Sequence, residues 1–509
     1  MNALRASRLA AALLAGASAL FASSLPVAAQ TQFDDFPTGF LRPGTGGMPP
    51  DAWNGTSLAT AKRLVSALLP APRSRALRDL QFKVLVSELV TPGPDGSPPP
   101  TLFARKVDRL AAMGEGESLN EMVRTAGGYE DPAIAAVTVN ALMMSGERAG
   151  ACSIVSSHRL AEPFGRRAAL ACQLVQGEAS DAQLSAGALD GPAMVMLDLS
   201  HGRLPPAALQ STQPPMMRAL VANKSLPLVT RLEVAERGEA GAIIEATRLS
   251  DLYVQAVREG AALPAPMARR AQLVAAVSAA VTGPEIIQSI AAVYGETRGS
   301  PLFPTIARAT AAGLLRLPAK PEFAAVAQEA IRGFLLLGDK RLTEAWVKLA
   351  ITAAANNPRT LDALDHLMPL AAVAGIDSPR RLPPSEVNRW YAVMRRDDGP
   401  RAAWRGNLLL ELFRATGIDV APGTTELPEQ PAGARLVALS GATLQALQAA
   451  ASAHRRAETA LLASLALGDL SLDSLHPASV GVLVRSLRAV GEDEAARLFA
   501  IEVAIAAGL

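Results

Sequence analysis

The chain is poor in the residues that usually announce chemistry. Its 509 residues include two cysteines and five histidines, and aromatic residues make up only 4%. His158, His201, His366, His454 and His476 stand far apart, and His-Glu-x-x-His does not occur, so a zinc hydrolase built on one helix is not expected. Neither Gly-x-Ser-x-Gly nor Ser-x-x-Lys occurs after residue 30, and Gly-rich phosphate-binding patterns are missing too. These absences argue against serine nucleophiles and nucleotide-dependent enzymes, and no cofactor or metal is expected. The scarcity of rings disfavours a sugar-stacking groove, where aromatic faces supply the contact area. Charge of one sign is also lacking: 49 Lys and Arg face 47 Asp and Glu, without basic runs, so nucleic-acid binding by counterion release has no support. After residue 30 no apolar stretch approaches the roughly 18 residues that a membrane-spanning helix needs, so the mature chain is expected to be soluble.

What is present begins with a candidate export signal. Arg5 and Arg8 precede an apolar run from Leu9 to Phe21, which is followed by Val27-Ala28-Ala29. This three-part pattern predicts a signal peptide over residues 1–29, cleaved between Ala29 and Gln30. The apolar run is too short for the roughly 20 residues of a span, and no cysteine lies near the cleavage point to carry a lipid. A periplasmic location is therefore expected.

In an oxidising compartment, an even number of cysteines suggests a bond. Helical patterning breaks at Glu162-Pro163, and Cys152 and Cys172 each lie ten residues from Glu162. In an antiparallel hairpin they face each other, and a disulfide closing about 20 residues contributes roughly 3 kcal/mol. No Cys-x-x-Cys pattern marks a redox-active pair.

Residues 30–57, rich in Pro, Gly, Thr and Asp, read as an extended lead. Amphipathic segments then follow one another, broken by Gly or Pro. Leu64, Val65, Leu68 and Leu69 share one face of the first. The second should run from about Ser74 to Val90, with Leu77, Leu80, Val84 and Leu89 on one side. Period-2 strands are not apparent, so the fold class is all-α. Residues 58–418 are expected to form stacked helical hairpins, residues 419–433 a Pro/Gly-rich linker, and residues 434–509 a separate C-terminal helical segment.

One detail recurs between helices. Gly146-Glu147, Gly177-Glu178 and Gly491-Glu492 are each followed by an alanine five residues after the glycine, at Ala151, Ala182 and Ala496; Gly338-Asp339 is a looser relative, with Ala345. Glycine supplies the left-handed residue that ends a helix, and the acid favours the positive start of the next. The alanine allows close approach of the two backbones. These turns resemble those of the tetratricopeptide repeat, and the interval from Gly146 to Gly177 is near that family's period of about 34. The resemblance implies a right-handed solenoid and covers only the turns. The family's Trp, Leu-Gly and Tyr positions are not met, and Val139, Leu170 and Val484 stand where a small residue is wanted. More broadly, segments such as Arg231-Leu-Glu-Val-Ala-Glu-Arg237 and Glu344-Ala-Trp-Val-Lys348 resemble exported helical proteins of high-GC Gram-negative bacteria, a likeness that brings no activity with it.

Three local groups have residues that a site could use. Asp362, Asp365 and His366 share a predicted helix but lack a second histidine, so they read as a solvated face. Glu117-Ser118 matches the catalytic dipeptide of soluble lytic transglycosylases, but the Gly-Leu-Met-Gln motif is absent and Glu117 sits in a Gly-rich connection, where a capping role is expected. Trp390, Tyr391 and Trp404, accompanied by Arg395 and Arg405, have the composition of a partner-binding hot spot, with a core role for the rings as the competing reading. The function that follows is a non-catalytic scaffold presenting a surface to an envelope protein partner. The alternative is a peptidoglycan-acting enzyme or its accessory subunit; an apolar-groove carrier is a third, less supported option.

Overall fold

A computed structural model describes residues 38–175, 210–356, 361–376, 381–397, 399–420 and 436–509. The proposed signal peptide and its Ala29/Gln30 junction, Gly177 with Ala182, His201 and most of the expected linker lie outside these residues. Among the described residues about 70% are helical, in 23 α-helices, with almost no strand. In chain order they are α1 (Leu58–Ala67), α2 (Arg75–Val86), α3 (Leu102–Ala112), α4 (Gly116–Thr125), α5 (Pro132–Ser145), α6 (Arg148–Ser157), α7 (Phe164–Val175) and α8 (Pro214–Ala222). There follow α9 (Leu228–Ala240), α10 (Ala246–Arg258), α11 (Ala265–Ala279), α12 (Gly283–Thr297), α13 (Phe303–Ala309), α14 (Ala311–Leu314), α15 (Ala327–Leu337) and α16 (Lys340–Asn356). The last are α17 (Leu361–Val373), α18 (Pro384–Asp397), α19 (Gly399–Ala415), α20 (Gly441–Ser452), α21 (Arg456–Leu467), α22 (Pro477–Ala489) and α23 (Asp493–Ala506). Among the described residues, no helix is long and apolar enough to cross a membrane.

The helices begin and end where local chemistry satisfies their unpaired backbone groups. Ser57, Ser74 and Thr101 each accept a hydrogen bond from an N–H in the first turn of α1, α2 and α3. Asp131 does the same for α5, with Pro132 at the first helical position, where its missing N–H costs nothing. At the other end, Gly146, Gly338 and Gly491 all have φ between 71° and 91°, the left-handed geometry expected of the Gly-acid turns. Ala151 and Ala496 after two of these turns are fully buried.

Two boundaries differ from expectation, for one reason. Helix α2 stops at Val86 rather than near Val90, and residues 38–41 are packed rather than an extended lead. The Phe40 and Leu41 N–H groups donate to the Val86 carbonyl, and the Glu88 N–H donates to the Leu41 carbonyl. The lead thus takes over backbone groups that another helical turn would have used. Further along the same segment, Met48, Ala52 and Trp53 are buried in the main core.

Neighbouring helices pack in sequence order along much of the chain, α4 on α5, α5 on α6 and α9 on α10 on α11. The ends do not follow this rule. Helix α2 packs against both α21 and α23, and α22 packs against α19. The expected separation of a C-terminal segment is therefore corrected: its inward faces, including Leu461, Leu483, Val484, Phe499 and Val503, belong to one apolar core with Leu77, Leu80 and Val84. Of the last helix pair, α23 packs on α2 near the chain's beginning, and α22 on α19 and α20. A two-residue parallel pairing of Arg381–Leu382 (β1) with Asp419–Val420 (β2) is the one ladder among the described residues.

Candidate functional site

A charged seam inside the protein ties α2 to α9, α13 and α23. Its centre is Glu239 on α9, whose side chain is 0% exposed. Arg308 on α13 donates to both of its oxygens, Nε to Oε1 at 2.6 Å and Nη2 to Oε2 at 2.9 Å, and Arg75 Nη1 adds a third hydrogen bond at 2.8 Å. A bidentate guanidinium fork matches a carboxylate in direction as well as charge, which a lysine would not. Two cations on one buried anion leave local positive charge, and acids lie nearby.

On the first turn of α2, Ser74 Oγ donates to Glu502 Oε2 at 2.6 Å and the Ala76 N–H donates to Glu502 Oε1 at 3.0 Å. This carboxyl, reaching over from α23, meets the start of α2, where free N–H groups and the helix dipole favour negative charge. Burial pushes the Glu502 carboxyl up to about 7; the bonds from Ser74 and Ala76 and the charge of Arg308 pull the other way, and Asp79 adds to the rise. One turn on, Arg78 donates to Glu115 at 2.6 Å, and Glu115 also receives Arg218 of α8 at 3.0 Å. Farther along α2, Lys83 pairs with Glu492 at 3.4 Å, and Glu492 also binds Arg456 of α21 at 2.5 Å. Helix α2 and its cap thus carry direct polar ties to α9, to α23 and its cap, and to the cap of α4, and through the shared carboxylates reach α8, α13 and α21.

The sequence-derived candidates fall elsewhere. Cys152 and Cys172 are brought together by the α6/α7 hairpin with Cα atoms 5.6 Å apart, at disulfide distance. The aromatic cluster is corrected. Trp390 and Trp404 are 4% and 5% exposed, and Trp390 packs on Phe413 with ring centroids 5.7 Å apart. Tyr391 is half-buried against the same core, and Arg405 Nε donates to the Ala507 carbonyl at 2.8 Å, holding the end of α23. Arg395 is exposed. The rings face inward because α18 and α19 pack on each other and α19 on α22, which leaves Arg395 on the solvated side of a core corner.

Glu117 is exposed in the first turn of α4, near Glu147, whose carboxyl is raised first by partial burial and then by the charge of Glu117. The apolar enclosure that suits a glycosidic general acid does not surround it. The side chains of Asp362 and Asp365 lie outside the described residues. Among the described residues, no group of three or more His, Cys, Asp or Glu is gathered as a metal site would require. Comparison with family models, with curated proteins and with solved structures returned no match.

Two outcomes follow. Replacing Trp404 by Ala should lower unfolding free energy by about 3–5 kcal/mol in a denaturant titration; unchanged stability would return the ring to a binding role. The raised carboxyl of Glu502 means the folded chain keeps a proton that the unfolded chain, with its ordinary value of 4.5, releases. Its contribution is therefore fully present below the ordinary value and is lost as pH rises from about 4.5 to about 7. That loss amounts to at most about 3 kcal/mol. In Glu502→Gln this component of the stability-versus-pH curve should disappear, and an unaltered curve would assign the titration elsewhere.

Proposed function

We propose that the chain is an exported, periplasmic scaffold that presents a preset helical surface to an envelope protein and does no chemistry on it. The observation that carries this reading is the seam on α2, because buried, doubly paired charges fix the relative placement of distant helices, as a presenting framework requires. Pairs of this kind are sensitive to geometry and serve specificity of arrangement more readily than net stability.

The Arg5/Arg8, apolar and Val-Ala-Ala pattern of the first 29 residues supports export, and two cysteines at bonding distance suit an oxidising compartment. Within the framework, we take the hairpins around Gly146 and Gly491 as tetratricopeptide-like, on the strength of their left-handed glycines and the buried alanines that follow. The packing of α2 on α21 and α23 then closes what would otherwise be an open right-handed solenoid.

Protein recovered from the periplasmic fraction of its native cells should begin at Gln30 and show no free thiol by mass spectrometry. Crosslinking in the same extracts should yield one dominant adduct with an envelope protein. An intact leader with two free thiols would refute the location, and muropeptide release by the purified protein, lost in Glu117→Gln, would replace the scaffold with an enzyme.

A further inference from the structure

Away from the seam, a cleft of about 420 Å³ opens between α1, the Pro-rich loop after α2 and α3. Lys62, Arg63 and Ser66 from α1, Ser97 and Pro98 from the loop, and Arg105 from α3 supply its walls. Three cationic side chains converge here in a chain whose overall charge is nearly balanced. One neighbouring acid is engaged: Asp95 accepts from the Ala59 N–H at 2.7 Å and the Ser97 N–H at 3.0 Å, and those bonds, followed by the charge of Lys62, hold its carboxyl below the usual range.

Arg105 is held in place and incompletely satisfied. Its Nη1 donates to Ser66 Oγ at 2.5 Å, while its buried Nε has no acceptor. Ser66 is itself anchored: Arg109, one turn further along α3, donates to the Ser66 carbonyl and the Leu68 carbonyl, both at 2.6 Å, and so ties down the end of α1. The guanidinium lines the cleft while pinned by Ser66, so an oxygen anion entering there meets a positioned cation. Arg63 is exposed on the same helix and makes no ion pair among the described residues.

The start of α1 has its Ala59 and Thr60 N–H groups already in use. A phosphate normally takes the N–H groups at a helix start, but at α1 these are occupied by Ser57 and Asp95. What remains is a set of side-chain cations above walls of alanine, proline and the methylene stems of Lys62, Arg63 and Arg105. The volume falls in the lower range of small-molecule sites.

The geometry points to a binding site for a carboxylate attached to an apolar body, with Arg105 and Arg63 receiving the carboxylate and the alanine and proline wall receiving the body. That chemistry has two sources, a free organic acid or the C-terminus of a peptide ending in an apolar residue. The site stands apart from the scaffold reading, which crosslinking tests separately.

Isothermal titration calorimetry of the full mature chain, with octanoate in one arm and Ala-Ala-Ala-Leu bearing a free C-terminus in the other, decides the matter. Saturable binding at one site is expected in at least one arm, with octanamide or the C-terminally amidated peptide failing to bind. Saturation by octanoate alone identifies a free acid as the ligand; saturation by the peptide alone identifies a chain terminus. Arg105→Gln should weaken binding by about ten-fold or more. Arg63→Gln, at an exposed position that leaves the fold intact, should weaken it several-fold, which keeps the test valid if the Arg105 variant unfolds. No saturation in either arm, or affinity unchanged in both variants, overturns the assignment.

Discussion

A carboxylate taken out of water stays charged only if cations and hydrogen-bond donors replace its hydration, and for Glu239 that replacement comes from two separate helices, through Arg75 and Arg308. The requirement is geometric. Moving α2 or α13 relative to α9 by the width of one atom breaks a charge-assisted bond inside the protein, where no water stands ready to take its place. This constraint makes α2 the reference element for the helices around it, and Glu115 and Glu492 extend the same device along its length.

Apolar packing alone would fix the arrangement less sharply. The faces of α2, α21 and α23 offer Leu, Val, Ala and Phe, and hydrophobic burial is nondirectional and tolerates sliding. Charged ties above and below that contact select one register. They also explain how a chain built from short Ala/Leu helices, which are marginal in isolation, gains an interior continuous from Met48 to Ala507. The cleft between α1 and α3 depends on the same principle in a smaller setting, since Arg109 fixes the end of α1 before Arg105 is left with a donor to spare.

Local features were legible in the sequence because their causes are local. Ser74 starts a helix by bonding the N–H three positions on, and Gly146 and Gly491 end helices through their own backbone freedom. The Cys152–Cys172 placement was readable because a hairpin maps sequence distance from its turn onto height. What escaped depends on partners hundreds of positions away. Nothing near Glu502 names Ser74, and a helix face reports that it must be buried without saying against what. The lead was misjudged because Pro and Gly signal irregular backbone, which is compatible with burial when a neighbouring strand-like segment accepts its hydrogen bonds. Trp390 and Trp404 were misleading for a related reason: Arg395 beside them is at the surface, and spacing along the chain does not say that the indoles point the other way. The cleft left a sequence signal, Lys62-Arg63 and Arg105 flanking a Pro-rich loop, but its meaning needed the loop's path.

Native-state hydrogen exchange offers the most direct test of the claim that α2 binds the beginning of the chain to its end. If the seam governs the fold, the central amides of α2, α9 and α23 will exchange with one common opening free energy, equal to that of global unfolding. Exchange of α20 to α23 as a unit at markedly lower free energy, while α2 stays protected, would contradict it.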